Sequence, residues 1–157
     1  MLFRSQINQQ INERIRQGKI AGIDAIPYTQ PRAMVPIIGT VRCGPGGLAY
    51  EDMQGVAAAD VANQKEYFFL RVEGDSMAPA IEAGDIALIH IQPEVENGQL
   101  AVVIINDEEG MLKKFMREGN TVILQSFNSA YHPRVLVGEE INTMCIAGKV
   151  VETRKSW

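Results

Sequence analysis

From Glu66 onward the sequence is a succession of short runs rich in β-branched and aromatic residues, each closed by a turn signal. The runs fall at 67–73, 86–91, 100–106, 111–117, 121–126 and 143–153, separated by Glu96-Asn97-Gly98, by Asn106 to Gly110 and by Gly119-Asn120. Such residues fit a pleated, half-buried surface, and the spacing leaves no room for crossover helices. The pattern predicts a mostly β fold, a compact, curled and largely antiparallel sheet. At most a single helical turn follows Ser76.

The first third of the chain reads differently. Phe3, Ile7, Ile11 and Ile15 recur every fourth position between polar residues, with Gly18 at the C-cap position, and predict a short amphipathic helix over 2–17. Its narrow apolar stripe suits packing on its own domain or on a second copy. Gly22, Pro27, Pro31 and Pro36 then mark a linker from Ala21 to Pro36. Val35 to Val41 is a short strand candidate, Cys43 to Gly47 an open loop of small residues, and Leu48 to Gln64 is left open between helix and irregular connection.

Charge follows the same division. Residues 1–42 hold six Lys/Arg against two Asp/Glu, although the whole chain has a formal charge of -4, so a basic arm precedes an acidic body. The acidic body argues against a coat of basic residues for nucleic acid. Two cysteines, Cys43 and Cys145, are too few for a disulfide framework and give no metal-ligand spacing, so no metal or other cofactor is expected. A reducing cytoplasm suits them. Leu2 and Phe3 are followed by polar residues rather than a signal-peptide core, and no apolar run reaches the length of a membrane span.

The stretch Glu73-Gly74-Asp75-Ser76-Met77, between the run Tyr67 to Val72 and the run Gly84 to Ile91, holds one hydroxyl in a tight turn at the end of a sheet. Serine attacks a carbonyl only when a neighbouring base removes its proton. His90 lies between two isoleucines and reads as structural; His132 precedes Pro133 in a loop. Lysine is the other choice. Met111-Leu112-Lys113-Lys114-Phe115-Met116 sets two lysines in an apolar strand, where alternation could direct one of them inward and desolvation would then favour its neutral amine. Alternation alone does not choose between Lys113 and Lys114, and an edge strand would leave both in solvent.

In combination, Gly74-Asp75-Ser76-Met77, Gly84-Asp85-Ile86-Ala87-Leu88-Ile89, Asn97-Gly98-Gln99-Leu100-Ala101-Val102-Val103, Leu112 to Phe115 and Asn128-Ser129-Ala130-Tyr131-His132-Pro133 resemble the LexA/UmuD family of self-cleaving serine peptidases over roughly residues 34–153. The resemblance implies a β-clip or barrel-like sheet, Ser76 as nucleophile and Lys113 as base, with Lys114 facing away. It also implies a scissile bond at Cys43–Gly44, 33 residues before Ser76. Backbone amides at Asp75 and Ser76 would serve as oxyanion donors. The parts implied are a helix and linker at 1–33, a cleavage-site segment at 34–66 and a peptidase domain at 67–157.

The family further implies a homodimer, restraint of cleavage until a RecA–single-stranded DNA filament favours the cleavable state, and DNA contact only through a domain that this chain lacks. A LexA-like repressor in the DNA-damage (SOS) response is the expected function, in the cytoplasm and away from the membrane. The alternatives are a UmuD-like accessory protein of an error-prone polymerase and a non-cleaving dimerisation module. Signal-peptidase-like processing of other proteins shares the serine–lysine logic but lacks a membrane anchor here.

Overall fold

The computed structural model describes residues 32–157, so the helix expected over 2–17 and most of the linker lie outside the described residues. The described residues contain nine strands: β1 (Ala33–Gly44), β2 (Gly47–Ala59), β3 (Tyr67–Arg71), β4 (Ile86–Ile91), β5 (Leu100–Ile105), β6 (Met111–Glu118), β7 (Thr121–Gln125), β8 (Arg134–Val137) and β9 (Met144–Arg154). Two short 3-10 turns, Gln64–Glu66 and Gly138–Thr143, complete the elements. All nine strands join one sheet in the order β2-β1-β3-β4-β9-β5-β6-β7-β8. Every pairing is antiparallel except β1 with β3, which meet in parallel at Ile37↔Phe69 and Ile38↔Leu70. The sheet is not closed; β2 and β8 remain its edges.

Burial explains the curl. Along β5, Val102 and Ile104 enter one apolar cluster while Ala101, Val103 and Ile105 enter a second, so period-2 alternation buries both faces of this strand. The first cluster also takes Val41 from β1, Phe68 from β3, Ile89 from β4, Leu112 from β6 and Ala147 from β9, strands that a flat sheet would keep apart. The second gathers Phe115, Val122, Leu124 and Leu136 from β6, β7 and β8. A third, Val35, Ile37, Ala59, Phe69 and Leu88, seals the far side of β3 and β4. Each such fully buried aliphatic or aromatic side chain contributes roughly 1.5–3 kcal/mol.

The region 33–64 departs from the sequence reading. The strand expected over 35–41 runs from Ala33 to Gly44, and the undecided stretch after Leu48 is mostly a 13-residue strand, β2. Pro36 does not break β1 because its pairing with β3 begins only at Ile37. The open loop at Cys43 to Gly47 is instead a two-residue hairpin turn, Pro45-Gly46, with Cys43 opposite Leu48 and Gly44 opposite Gly47. Proline fixes its own φ and Gly47 takes the left-handed φ of 112°, so the residues that suggested an open loop build a tight one. β8 was missed because Arg134-Val135-Leu136-Val137 is only four residues long and buries only Leu136.

Gly148 marks the tightest crossing, where β9 passes between β4 and β5. A Cβ there would stand 2.2 Å from the His90 carbonyl oxygen and 2.6 Å from Ile89 Cγ2, whereas one on Gly46 would meet nothing within 4 Å. Gly148→Ala is therefore expected to destabilise the fold by at least about 1–3 kcal/mol, and Gly46→Ala to stay within about 0.5 kcal/mol of the parent. Chemical denaturation of the two variants checks the contrast.

Candidate active site

The Ser76 turn is closed at its base by two backbone bonds, Val72 N–H to Asp85 O at 2.8 Å and Gly84 N–H to Val72 O at 2.9 Å. Gly74 occupies the left-handed region at φ 72°, which explains the glycine before Asp75-Ser76. Beyond the serine, Met77 and Ile81 insert into the first apolar cluster, and the Ile81 N–H bonds the Met77 carbonyl at 3.0 Å. Only one turn forms here, as expected. Asp85 is buried and its carboxylate accepts from the Glu82 N–H at 2.9 Å and the Ser156 N–H at 3.2 Å, with Lys155 Nζ at 3.2 Å. The Glu82 amide, followed by Ser156 and Lys155, outweighs burial and holds this carboxyl below its ordinary value. That support is present above the unfolded aspartate pKa and is lost as pH falls through the lower folded value.

Lys113 approaches from the other side. Alternation puts Lys113 on the face of β6 that carries Met111 and Phe115, and Ser126, just past β7, on the face that carries Val122 and Leu124. The two polar side chains thus meet at the rim of the second apolar cluster. Lys113 Nζ donates to Ser126 Oγ at 2.7 Å, and the ammonium lies 5.7 Å from the centroid of the Tyr131 ring. Ser126 is only 8% exposed. Burial pushes the Lys113 pKa down from the ordinary lysine value, because the charged form loses water.

Residues 126–131 join the serine to the lysine. The Asn128 N–H bonds the Ser76 carbonyl at 2.9 Å, and its side-chain amide donates to the Asp75 carbonyl at 3.0 Å. Asn128 Oδ1 accepts from the Ala130 N–H at 3.0 Å. Tyr131 carries the chain onward, its hydroxyl bonded to the Asp75 carboxylate and its ring facing Lys113. The bond to Asp75 holds the Tyr131 phenol above its ordinary pKa, so it stays a donor. The hydrogen bond of Lys113 reaches Ser126 rather than Ser76, and the two expected catalytic residues are linked through this segment. Among the described residues, no hydrogen bond has the Asp75 or Ser76 N–H as its donor.

Ser76 lines a groove of about 360 Å³ together with Gly39, Leu70, Met77, Gly110 and Leu112. A larger concavity of about 810 Å³, lined by Glu96, Phe115, Arg117 and Cys145, holds neither Ser76 nor Lys113. Cys43 and Gly44 do not line the groove. Their hairpin is held by Arg42, which reaches Glu51 at 3.4 Å, Glu109 at 3.3 Å and the Asp107 carbonyl at 2.8 Å, and by the Gly110 N–H on the Val41 carbonyl at 2.8 Å. His90 shares a hydrogen bond with Gln92 at 2.7 Å and faces Glu66 at 3.6 Å. Among the described residues neither histidine bonds Ser76 or Asp75.

Residues 36–151 match the family model for Peptidase S24-like proteins. The chain belongs to the Peptidase S24-like family. Its curated relatives include the LexA repressor of Geotalea uraniireducens, 44% identical over 74% of this chain and 58% of the relative, and that of Geobacter metallireducens, 41% identical over 85% and 67%. The LexA repressor of Citrifermentans bemidjiense is 38% identical over 88% of this chain and 69% of its own length. The chain thus spans between 58% and 69% of the length of these relatives. Among the described residues there is no cluster of metal-ligating side chains and no helix long and apolar enough to cross a membrane.

The sequence reading missed Ser126 and the linking role of Asn128 and Tyr131. A signal for the first was present: Ser126 continues the alternation of Val122 and Leu124 where a third apolar residue would be expected. Asn128→Ala removes one side-chain hydrogen bond to the Ser76 turn and a second within its own loop, and is expected to lower stability by about 1–2 kcal/mol. Thermal unfolding measures this, with Ser129→Ala as the variant that leaves the turn's bonds in place.

Proposed function

We propose that this chain is the self-cleaving serine–lysine peptidase domain of a LexA-like transcriptional repressor, cutting its own Cys43–Gly44 bond in the DNA-damage response. The observation that carries this reading is the half-buried amine of Lys113, its pKa lowered by burial, in one hydrogen-bonded segment with the Ser76 turn. A neutral amine has two N–H groups and one lone pair. Ser126 Oγ accepts one N–H and restricts rotation about Nζ, and the lone pair is then free to take the Ser76 proton.

Ser76 Oγ attacks the Cys43 carbonyl carbon as Lys113 removes its proton. Negative charge develops on the carbonyl oxygen beside the Asp75 and Ser76 amides, which act as the oxyanion donors. The lysine then returns the proton to the Gly44 nitrogen, the peptide bond breaks, and water hydrolyses the Cys43 ester on Ser76. Small residues at both sides of the bond suit a narrow groove bordered by Gly39 and Gly110.

Substrate and enzyme share one chain, so effective molarity is high and restraint must come from conformation. Pairing of Cys43 with Leu48 and of Gly44 with Gly47 is that restraint. The exposed ion pairs of Arg42 contribute only about 0.2–1 kcal/mol each, small enough for a binding partner to reverse. A RecA–single-stranded DNA filament is the proposed partner, acting through higher affinity for the released hairpin. Homodimerisation, a cytoplasmic setting and DNA contact through a domain outside this chain belong to the same proposal.

The hairpin supports a second reading, a dimerisation module that does not cleave; a UmuD-like accessory protein would share the self-cleavage of the first. Mass spectrometry across neutral to alkaline pH separates the readings. Self-cleavage is expected to accelerate with pH as Lys113 deprotonates and to level off below the ordinary lysine pKa. Ser76→Ala abolishes it, and Lys113→Ala slows it by about 10²–10⁴. A chain that stays intact at alkaline pH, or one cut equally well in both variants, overturns the peptidase reading.

A further inference from the structure

The sequence separates Cys43 from Cys145 by 102 residues, yet their sulfur atoms lie 2.7 Å apart. Cys43 is at the end of β1, immediately before the hairpin turn, and Cys145 is at the start of β9. Both are free thiols, half-buried, and packed against the first apolar cluster. Cys145 also lines the 810 Å³ concavity, which gives a small molecule a route to the pair. Neither sulfur takes part in the proposed transfer of the acyl group.

We infer that Cys43 and Cys145 are a built-in oxidation site, converted by a small-molecule disulfide into an intrachain disulfide that pins the carbonyl side of the Cys43–Gly44 bond in its hairpin. The pinning of cleavage rests on the self-cleaving reading; the pairing of the thiols does not. One protein thiolate attacks the reagent disulfide, forming a mixed disulfide and expelling the first reagent thiolate. The second protein thiol loses its proton to solvent and attacks the protein sulfur of that mixed disulfide, expelling the second. Two protein thiols are oxidised, one reagent disulfide is reduced, and both protons end on the two released thiols.

The order of attack follows from the surroundings. Burial, then the hydrogen bond with Cys43, pushes the Cys145 thiol up to about 12, which leaves the first attack to Cys43 and makes Cys145 the resolving partner. After closure, Cys43 is tied covalently to β9, and the strand end that must leave for the Ser76 groove is anchored to the core. Reduction of the disulfide restores the hairpin to the hydrogen-bonded restraint alone.

The test incubates the full chain with oxidised glutathione, digests it without reduction and weighs the peptides. A Cys43 peptide joined to the Cys145 peptide, lighter than their sum by two hydrogens, is the expected product. Self-cleavage of the oxidised chain at alkaline pH should fall at least tenfold and recover with a thiol reductant, and in Cys145→Ala the reaction should stop at a glutathione adduct on Cys43. Separate glutathione adducts or unreacted thiols overturn the pairing, and an oxidised chain that cleaves at the reduced rate overturns the pinning. If the reduced chain does not cleave at all, the peptidase reading falls and the joined peptide alone decides the pair.

Discussion

A lysine amine brought partly out of water is the interaction on which the functional reading depends. Lys113 sits at the rim of an apolar cluster, with Ser126 Oγ as acceptor and the Tyr131 ring nearby. Its charged form is disfavoured there, and the cost to folding is full below the lowered pKa and disappears as pH rises toward the ordinary lysine value. The fold carries this cost where β6 and β7 meet the serine turn. Removing the apolar rim would return the amine to solvent, where at neutral pH it is an ammonium with no lone pair to accept a proton.

The sheet sets the β1–β2 hairpin and the serine turn on one core. Burial of both faces of β5 curls the strands around one cluster, and Met77 and Ile81 fasten the Ser76 turn to that cluster. The same cluster receives the end of β1, so the hairpin and the turn are anchored in one core. Regular pairing then keeps Cys43 and Gly44 in the hairpin. Exposed ion pairs, one backbone hydrogen bond and a close pair of thiols hold the hairpin in place.

Strands β3 to β7 and β9 were legible because their alternation is strong and their turns carry Gly, Asn and Asp. Lys113 was legible only as one of two lysines; its hydrogen bond to Ser126 separates it from Lys114, and that partner lies 13 residues away across a hairpin. β2 was not legible because its exposed pattern, with only Ala59 buried, gives no period to read. Its order comes from pairing with β1 across long range. The Cys43–Cys145 approach was equally hidden, since it depends on where β9 passes the end of β1. Glycines near Cys43 suggested an open loop, but pairing on both sides of Pro45-Gly46 makes it a hairpin.

The most direct measurement is the titration of Lys113 itself, by nuclear magnetic resonance of lysine labelled at the ε-carbon in the Ser76→Ala chain, which cannot consume itself. The Lys113 signal is assigned by its loss in Lys113→Ala. Titration of Lys113 below the ordinary lysine value is the predicted result. Titration of Lys113 at or above the ordinary lysine value would contradict the account, because no neutral amine would then be available as the proposed base.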